Sequence, residues 1–503
     1  MEYFLSCMLL IFLSIVTLYF LLSKFTFTKK SKIKLPPGPT PLPFIGNLLE
    51  LGTKPHQSLS NLAETYGPIM TLKFGQITTI VISSPNMAKE ILQTHDQLLS
   101  DRAIPNSIEV HDHHKHSMTF LPISPLWREL KKICNNQLFS NKTLDESRKL
   151  RKQKLEEILN DIHQSSLNNE AVDIGNLAFK TSINLLSNTI FSLDLVHSND
   201  AVGDFKELVM NIMKESGNPN IVDFFPVLKM FNLDIQGIYS RNAVYAGKII
   251  DIFKDLIYQR LKLREVQGSD SNTDMLNTLL NISSQNNTSM NLTQIQHLCL
   301  TLFVGGTDTI ASTLEWAMAE LLKNEKAMSK AKQELEQIIG KGKALEESDI
   351  ARLPYLQAVI KETFRLHPAV PFLIPRKANA NVEICGYTIP KDAQVFVNVW
   401  AMGRNSSIWE NANLFSPERF LTSEIDYKGH HFELIPFGAG RRICPGLPLA
   451  VRTLYLMLGS LINCFNWKLE DGFKIDDMNM DDDFGITLAK AQSVRVIPEK
   501  ICS

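Results

Sequence analysis

Phe437-Gly438-Ala439-Gly440-Arg441-Arg442-Ile443-Cys444-Pro445-Gly446 is the stretch that decides the fold. Its three glycines let backbone come close to a bulky planar partner. Pro445 stiffens the chain directly after the sulfur, and the backbone N–H groups around it can point at a thiolate. Phe437 can pack on the same partner, and Arg442 places a cation two residues before Cys444. A cysteine held in this way is a good soft-metal ligand. A buried free cysteine at a helix start is common, but it requires none of these neighbours. The apolar run Leu447 to Ile462 that follows reads as a helix.

Moving outward, Pro354 can start a helix and Pro368 ends it. Glu362 and Arg365, three apart, can pair on one face of it. A lone Glu-x-x-Arg is a weak signal; Pro417-Glu418-Arg419-Phe420 further on strengthens it. Upstream, Thr293 and Gln296 suggest a capping-box start. The run Ile295 to Leu322 then reads as one largely apolar helix, roughly 40 Å long at the usual rise. A helix of that length and character should cross the interior. Gly305-Gly306-Thr307-Asp308-Thr309 in its middle has the wrong composition for a helix interior, because two glycines cost about 2 kcal/mol relative to alanine. An acid buried beside them needs partners, so something must approach closely there. A bent helix with a back-bonding threonine is the plainer alternative. Trp127 and Lys131 share a helix face, next to Arg128 and Lys132.

At the amino end, Tyr3 through Ser23 carries no charge and is long enough to cross a bilayer. Lysines 24, 29, 30, 32 and 34 follow, which places the remainder in the cytosol by the positive-inside rule. The sequons at Asn141, Asn281, Asn286, Asn287, Asn291 and Asn405 would then escape glycosylation. Leu35 to Pro43 is proline-rich and stiff. Ile69 to Phe74 and Thr78 to Ser83 read as strands of a small sheet near the amino-terminal edge. His111-Asp112-His113-His114-Lys115-His116 matches no zinc spacing and suits a solvated polar loop. The 141–289 region reads as helical and polar-faced, broken at Gly217-Asn218-Pro219 and around 268–273. The net charge of −1 gives no support for nucleic-acid binding, and the seven cysteines without Cys-x-x-Cys fit a reducing compartment.

The pattern Phe-x-x-Gly-x-Arg-x-Cys-x-Gly resembles the haem-binding signature of the cytochrome P-450 superfamily. The Gly305–Thr309 stretch is similar to that family's oxygen-activation motif, although Ile310 stands where Thr or Ser is usual. Phe432-Glu433-Leu434-Ile435-Pro436-Phe437, Gly446-Leu447-Pro448-Leu449-Ala450, Ile221 to Pro226 and Leu353 to Gln357 look like the plant branch typified by geraniol 8-hydroxylase. With 503 residues, length alone suggests two or three domains. The resemblance implies instead a membrane anchor (1–23), a basic patch and proline hinge (24–43) and one haem-thiolate monooxygenase domain (44–503). Its fold would be mainly α with small β-sheets, the haem lying between a long central helix and the cysteine loop.

The resemblance also implies roles. Cys444 would be the axial thiolate of haem b (iron protoporphyrin IX), and Phe437 and Arg442 would flank it. Trp127, Lys131 and Arg376 would contact its propionates, Lys131 standing where arginine is usual and lacking arginine's bidentate fork. Asp308 and Thr309 would relay protons, and Glu362, Arg365 and Arg419 would form a structural ion network. Ala369 to Leu373 and Phe484 to Leu488 would line the pocket, the His111–His116 loop would cover it, and 141–289 would form its lid. The activity implied is NADPH- and O2-dependent hydroxylation of a small terpenoid such as geraniol at an allylic carbon. The electrons would come from NADPH–cytochrome P-450 reductase, docked on a basic face with Arg128, Lys131 and Lys132 as candidates, at the endoplasmic-reticulum membrane. Diterpenoids, phenolics or xenobiotics are the alternative substrates. A haem-thiolate isomerase or dehydratase of the same fold typically lacks the acid–threonine pair that this chain keeps. A haem carrier without catalysis has no use for the glycine-rich gap.

Overall fold

The computed structural model describes residues 34–196, 203–267, 274–285, 290–470 and 474–501. The anchor expected over 1–23, the first part of the hinge and the sequons at Asn286 and Asn287 lie outside the described residues.

β-Branched and aromatic residues bounded by turn residues form strands β1 (Ile69–Phe74), β2 (Ile77–Ile82) and, later in the chain, β5 (Gln394–Val397), while β3 (Asp101–Arg102) and β4 (Arg376–Lys377) are two-residue strands of charged side chains. β1 and β2 make an antiparallel hairpin with Ile69 opposite Ile82. β2 then pairs in parallel with β5, giving the order β1-β2-β5-β4-β3. The sheet is therefore wider than the two amino-terminal runs suggest. It draws two strands from 376–397, and in its β3–β4 pair Arg102 lies directly across from Arg376.

The remainder is mostly helical. The elements that position the site are α1 (Pro125–Ile133), α2 (Arg148–Asn168), α3 (Ile174–Phe191), α4 (Gly203–Gly217), α5 (Ile238–Gln267), α6 (Leu292–Gly306), α7 (Asp308–Lys323), α8 (Pro354–Leu366) and α9 (Leu447–Cys464). One continuous cluster of buried apolar side chains runs from Val110 to Val496 and includes residues of α3, α6, α7, α8 and α9. Among the described residues α9 alone is long and apolar enough to cross a membrane, but 78% of it is buried inside the protein, so it is a core helix.

Two expectations need correction. The single helix over Ile295–Leu322 is two, α6 and α7, interrupted at Thr307, whose hydroxyl bonds the Phe303 carbonyl at 2.9 Å. Its start is not a capping box at Thr293. Asn291 caps it, Oδ1 accepting the Gln294 N–H at 2.9 Å. Asparagine is among the strongest N-cap residues, and here it comes two residues before the threonine.

Candidate active site

The cysteine loop is closed by the Cys444 N–H donating to the Phe437 carbonyl at 3.0 Å. Gly438 and Gly440 have φ of +72° and +69°, and a side chain at Gly440 would run into the Leu92 carbonyl. Both positions therefore need glycine. A short 3-10 turn over Gly440–Arg442 delivers Cys444 to the start of α9. Its sulfur opens onto an internal cavity of about 370 Å³. Burial pushes the thiol pKa up, while the Gly446 and Leu447 N–H groups and Lys131 favour the thiolate. Phe437 lies edge-on to Phe364 at 5.2 Å and also lines the cavity.

Around that cavity stands a wall of cations. Arg102, Lys131, Arg376 and Arg442 all line it. Arg376 reaches Asp96 at 3.2 Å, and Asp96 is also bound by Arg441. Arg442 donates to the Leu121 carbonyl at 2.5 Å, its Nε is buried without a partner, and its guanidinium lies 5.2 Å over Trp127. Arg102 donates to the carbonyls of Thr119 and Ile374. Burial lowers the pKa of all three arginines, taking Arg442 down to about 10; neighbouring arginines add to it, while Asp96 opposes it at Arg376 and, with Asp101, at Arg442. Like charges directly across a strand pair destabilise it; Asp96 offsets Arg376, but among the described residues Arg102 and Arg442 bond only carbonyls, so the wall still demands an anion. A flat group carrying two carboxylates, with a metal that takes a thiolate, meets that demand. The residues present fit haem: Cys444 would hold its iron, and the arginine wall its propionates.

The other expected propionate contacts are engaged with backbone. Trp127 donates its indole N–H to the Met118 carbonyl at 3.1 Å, and Lys131 donates to the Ile443 carbonyl at 2.5 Å. Lys131 therefore lies under the cysteine loop, and of the expected basic face only Arg128 and Lys132 are exposed.

Opposite Cys444, a Cβ built on Gly305 meets nothing within 4 Å, so the gap at the end of α6 is real space. Thr309 lines the cavity, and its hydroxyl donates to the Gly305 carbonyl at 2.9 Å, the back-bond of the plainer alternative. Asp308 does not line the cavity; it lies toward Thr487. Burial raises its carboxyl pKa. The Thr487 hydroxyl opposes this, though no formed hydrogen bond holds that hydroxyl.

On the far side of the cysteine loop, Arg365 grips Glu362 with two bonds of 2.7 Å, both side chains 0% exposed. Arg419 adds a bond of 3.0 Å to the same carboxylate. Arg365 spends its remaining hydrogens on the carbonyls of Gly403, Ala412 and Leu414. The network thus ties α8 to the 403–419 segment leading to the cysteine loop.

Of the expected pocket residues, Ala369, Val370, Phe372 and Leu373 line the cavity, but from 484–488 only Ile486 does. Phe484 instead stacks on His56 at 5.5 Å, and the Leu488 carbonyl accepts from Ser312 and Trp316. The histidine run is not a solvated loop throughout. His113 is buried against α6, its Nδ1 2.9 Å from His297 Nδ1. Sequence reasoning missed Arg102, whose neighbours carry no signature of its role.

The cytochrome P450 family model matches residues 36–493. Geraniol 8-hydroxylase of Catharanthus roseus is 52% identical over 97% of this chain and 99% of its own. Drimenol monooxygenase of Persicaria hydropiper is 50% identical over 94% of each chain. The 7-ethoxycoumarin O-deethylase of Helianthus tuberosus is 48% identical over 92% of this chain and 94% of its own. With the thiolate loop, the cationic wall and the gapped central helix already in place, this chain belongs to the cytochrome P450 family and is a haem-thiolate monooxygenase.

Proposed function

We propose that this enzyme hydroxylates a small terpenoid alcohol, such as geraniol, at an allylic carbon, at the endoplasmic-reticulum membrane. NADPH–cytochrome P-450 reductase would supply two electrons, so that one oxygen atom of O2 enters the substrate and the other leaves as water. The observation that carries this reading is the cavity beside Cys444. Away from the cationic wall it is lined mainly by aliphatic and aromatic side chains such as Val110, Leu300, Leu302, Val370 and Phe372. Similarity to geraniol 8-hydroxylase over nearly the whole of both chains supports it.

Haem, when bound, supplies the activation of dioxygen. The apolar wall excludes water and aims one carbon of the substrate. The Thr309 hydroxyl can turn from the Gly305 carbonyl to hold a water at the distal side, and Asp308, kept protonatable by burial, can recharge that relay. Exposed Arg128 and Lys132 offer the reductase a basic face. Microsomes carrying the protein, with reductase and NADPH, should convert geraniol and related monoterpenoid alcohols faster than a diterpenoid, a phenolic or 7-ethoxycoumarin. Conversion of only an aromatic ether would replace the terpenoid assignment.

Thr309→Ala is expected to keep haem and substrate binding while lowering product formed per NADPH oxidised several-fold, the difference ending as hydrogen peroxide. Asp308→Asn should slow oxygen-dependent turnover. An unchanged product-to-NADPH ratio in Thr309→Ala would leave Thr309 as a helix-bend residue only.

A further inference from the structure

One polar seam interrupts the greasy cavity. The turn over Val110–Lys115 and the following Ser117 lie against α6, joined to it by three side-chain pairs. These are His113 Nδ1 to His297 Nδ1 at 2.9 Å, Ser117 Oγ to Thr301 Oγ1 at 3.0 Å, and His116 Nδ1 to Gln294 Nε2 at 2.6 Å. His113, Ser117 and Thr301 line the cavity.

The hydrogens of the hydroxyl pair can be assigned. Thr301 Oγ1 donates to the His297 carbonyl at 2.9 Å, so it accepts from Ser117. The Ser117 oxygen in turn accepts the Thr119 N–H at 3.3 Å. Both hydroxyl hydrogens are spent and each oxygen keeps one free lone pair, but Ser117 is 0% exposed, so only the partly exposed Thr301 offers its oxygen to the cavity. His111 Nε2 donates to the Ala243 carbonyl at 2.7 Å and fixes the turn to α5 beside Asn242. Asn242 also lines the cavity and is 1% exposed. Its Nδ2 donates to the Ser107 carbonyl at 2.8 Å and to Ser216 Oγ at 3.2 Å, and its Oδ1 is buried without a partner among the described residues, closed off from the cavity. His113 and His297 stay neutral, burial taking them to about 3 and about 4. At Thr301 the seam therefore offers an acceptor and no charge. Thr301 precedes Thr309 by eight residues, which at the helical rise is about 12 Å along the axis.

The geometry points to the Thr301 hydroxyl oxygen, held in place by Ser117, as the site that accepts the hydroxyl hydrogen of an alcohol substrate and holds it by the end remote from the oxidised carbon. This rests on the terpenoid-alcohol reading above. It makes the enzyme select alcohols over hydrocarbons and aldehydes of the same skeleton, since neither of those can donate.

The test is an optical binding titration of the haem-loaded full chain with geraniol, with the hydrocarbon lacking its hydroxyl and with its aldehyde. The parent should bind the alcohol about ten-fold more tightly than either analogue, the size expected of a hydrogen bond in a dry pocket. Thr301→Val should lose that preference while binding the hydrocarbon as the parent does. Thr301→Ala should lose it too, and decides the matter if the valine variant fails to load haem. Equal binding of alcohol and hydrocarbon by the parent, or an unchanged preference in a haem-loaded Thr301→Ala or Thr301→Val protein, overturns the anchor and leaves the terpenoid reading standing. If none of the three ligands binds, the substrate reading falls and the anchor falls with it.

Discussion

Cys444→Ser should lose all detectable hydroxylation, together with the red-shifted Soret band of the ferrous carbon-monoxide complex. Serine keeps the loop, the glycine conformations at Gly438 and Gly440 and the closing bond to Phe437. What it lacks is a soft, strongly donating anion for iron. The fold should therefore survive, and comparing thermal unfolding of the haem-free proteins separates lost ligation from lost structure. Retention of the shifted band in the serine variant would remove Cys444 from the metal and leave the cavity without a ligand.

Arg365→Ala should fail at the level of the fold. Glu362 is fully buried and takes two bonds from Arg365, one from Arg419 and one from the Ser416 N–H at 2.8 Å. Removing Arg365 leaves the carboxylate short of its main partner and frees the carbonyls of Gly403, Ala412 and Leu414. Breaking a buried pair costs about 3–5 kcal/mol, a large part of the roughly 5–15 kcal/mol that holds a typical protein folded. The variant should accumulate poorly and load no haem. Arg419→Ala should cost less, because the Arg419 side chain is partly exposed and gives Glu362 one bond, its others going to the carbonyls of Glu410 and Leu414. Soluble yield and denaturation midpoint, measured on both variants, check the order. A milder loss in Arg365→Ala than in Arg419→Ala would contradict it.

How much of the site was legible depended on whether its signal was local. The cysteine loop could be read because its constraint, backbone approaching a planar partner, is written in glycines a few residues apart. Glu362 and Arg365 are one helical turn apart, and the wrong residues for a helix interior at Gly305–Thr309 marked the gap directly. Arg102 could not be read. It sits on a two-residue strand and matters only because β-pairing sets it opposite Arg376, 274 positions along the chain. The same holds for His113 and His297, 184 positions apart, which turned a polar-looking loop into a buried contact. The break at Thr307 was hidden by the apolar pattern, which continues on both sides of it. The carboxyl-terminal turn was misjudged at Phe484 because an aromatic residue serves equally well as cavity lining or as packing against His56.

The account is tested most directly by incubating the reductase-supported protein with geraniol and NADPH under isotopically labelled dioxygen, and weighing the product. One labelled oxygen should appear in a hydroxyl at an allylic carbon remote from the original alcohol, with none acquired from labelled water. An unlabelled product, or no product from any terpenoid alcohol while the carbon-monoxide complex still shows its red-shifted band, would contradict it.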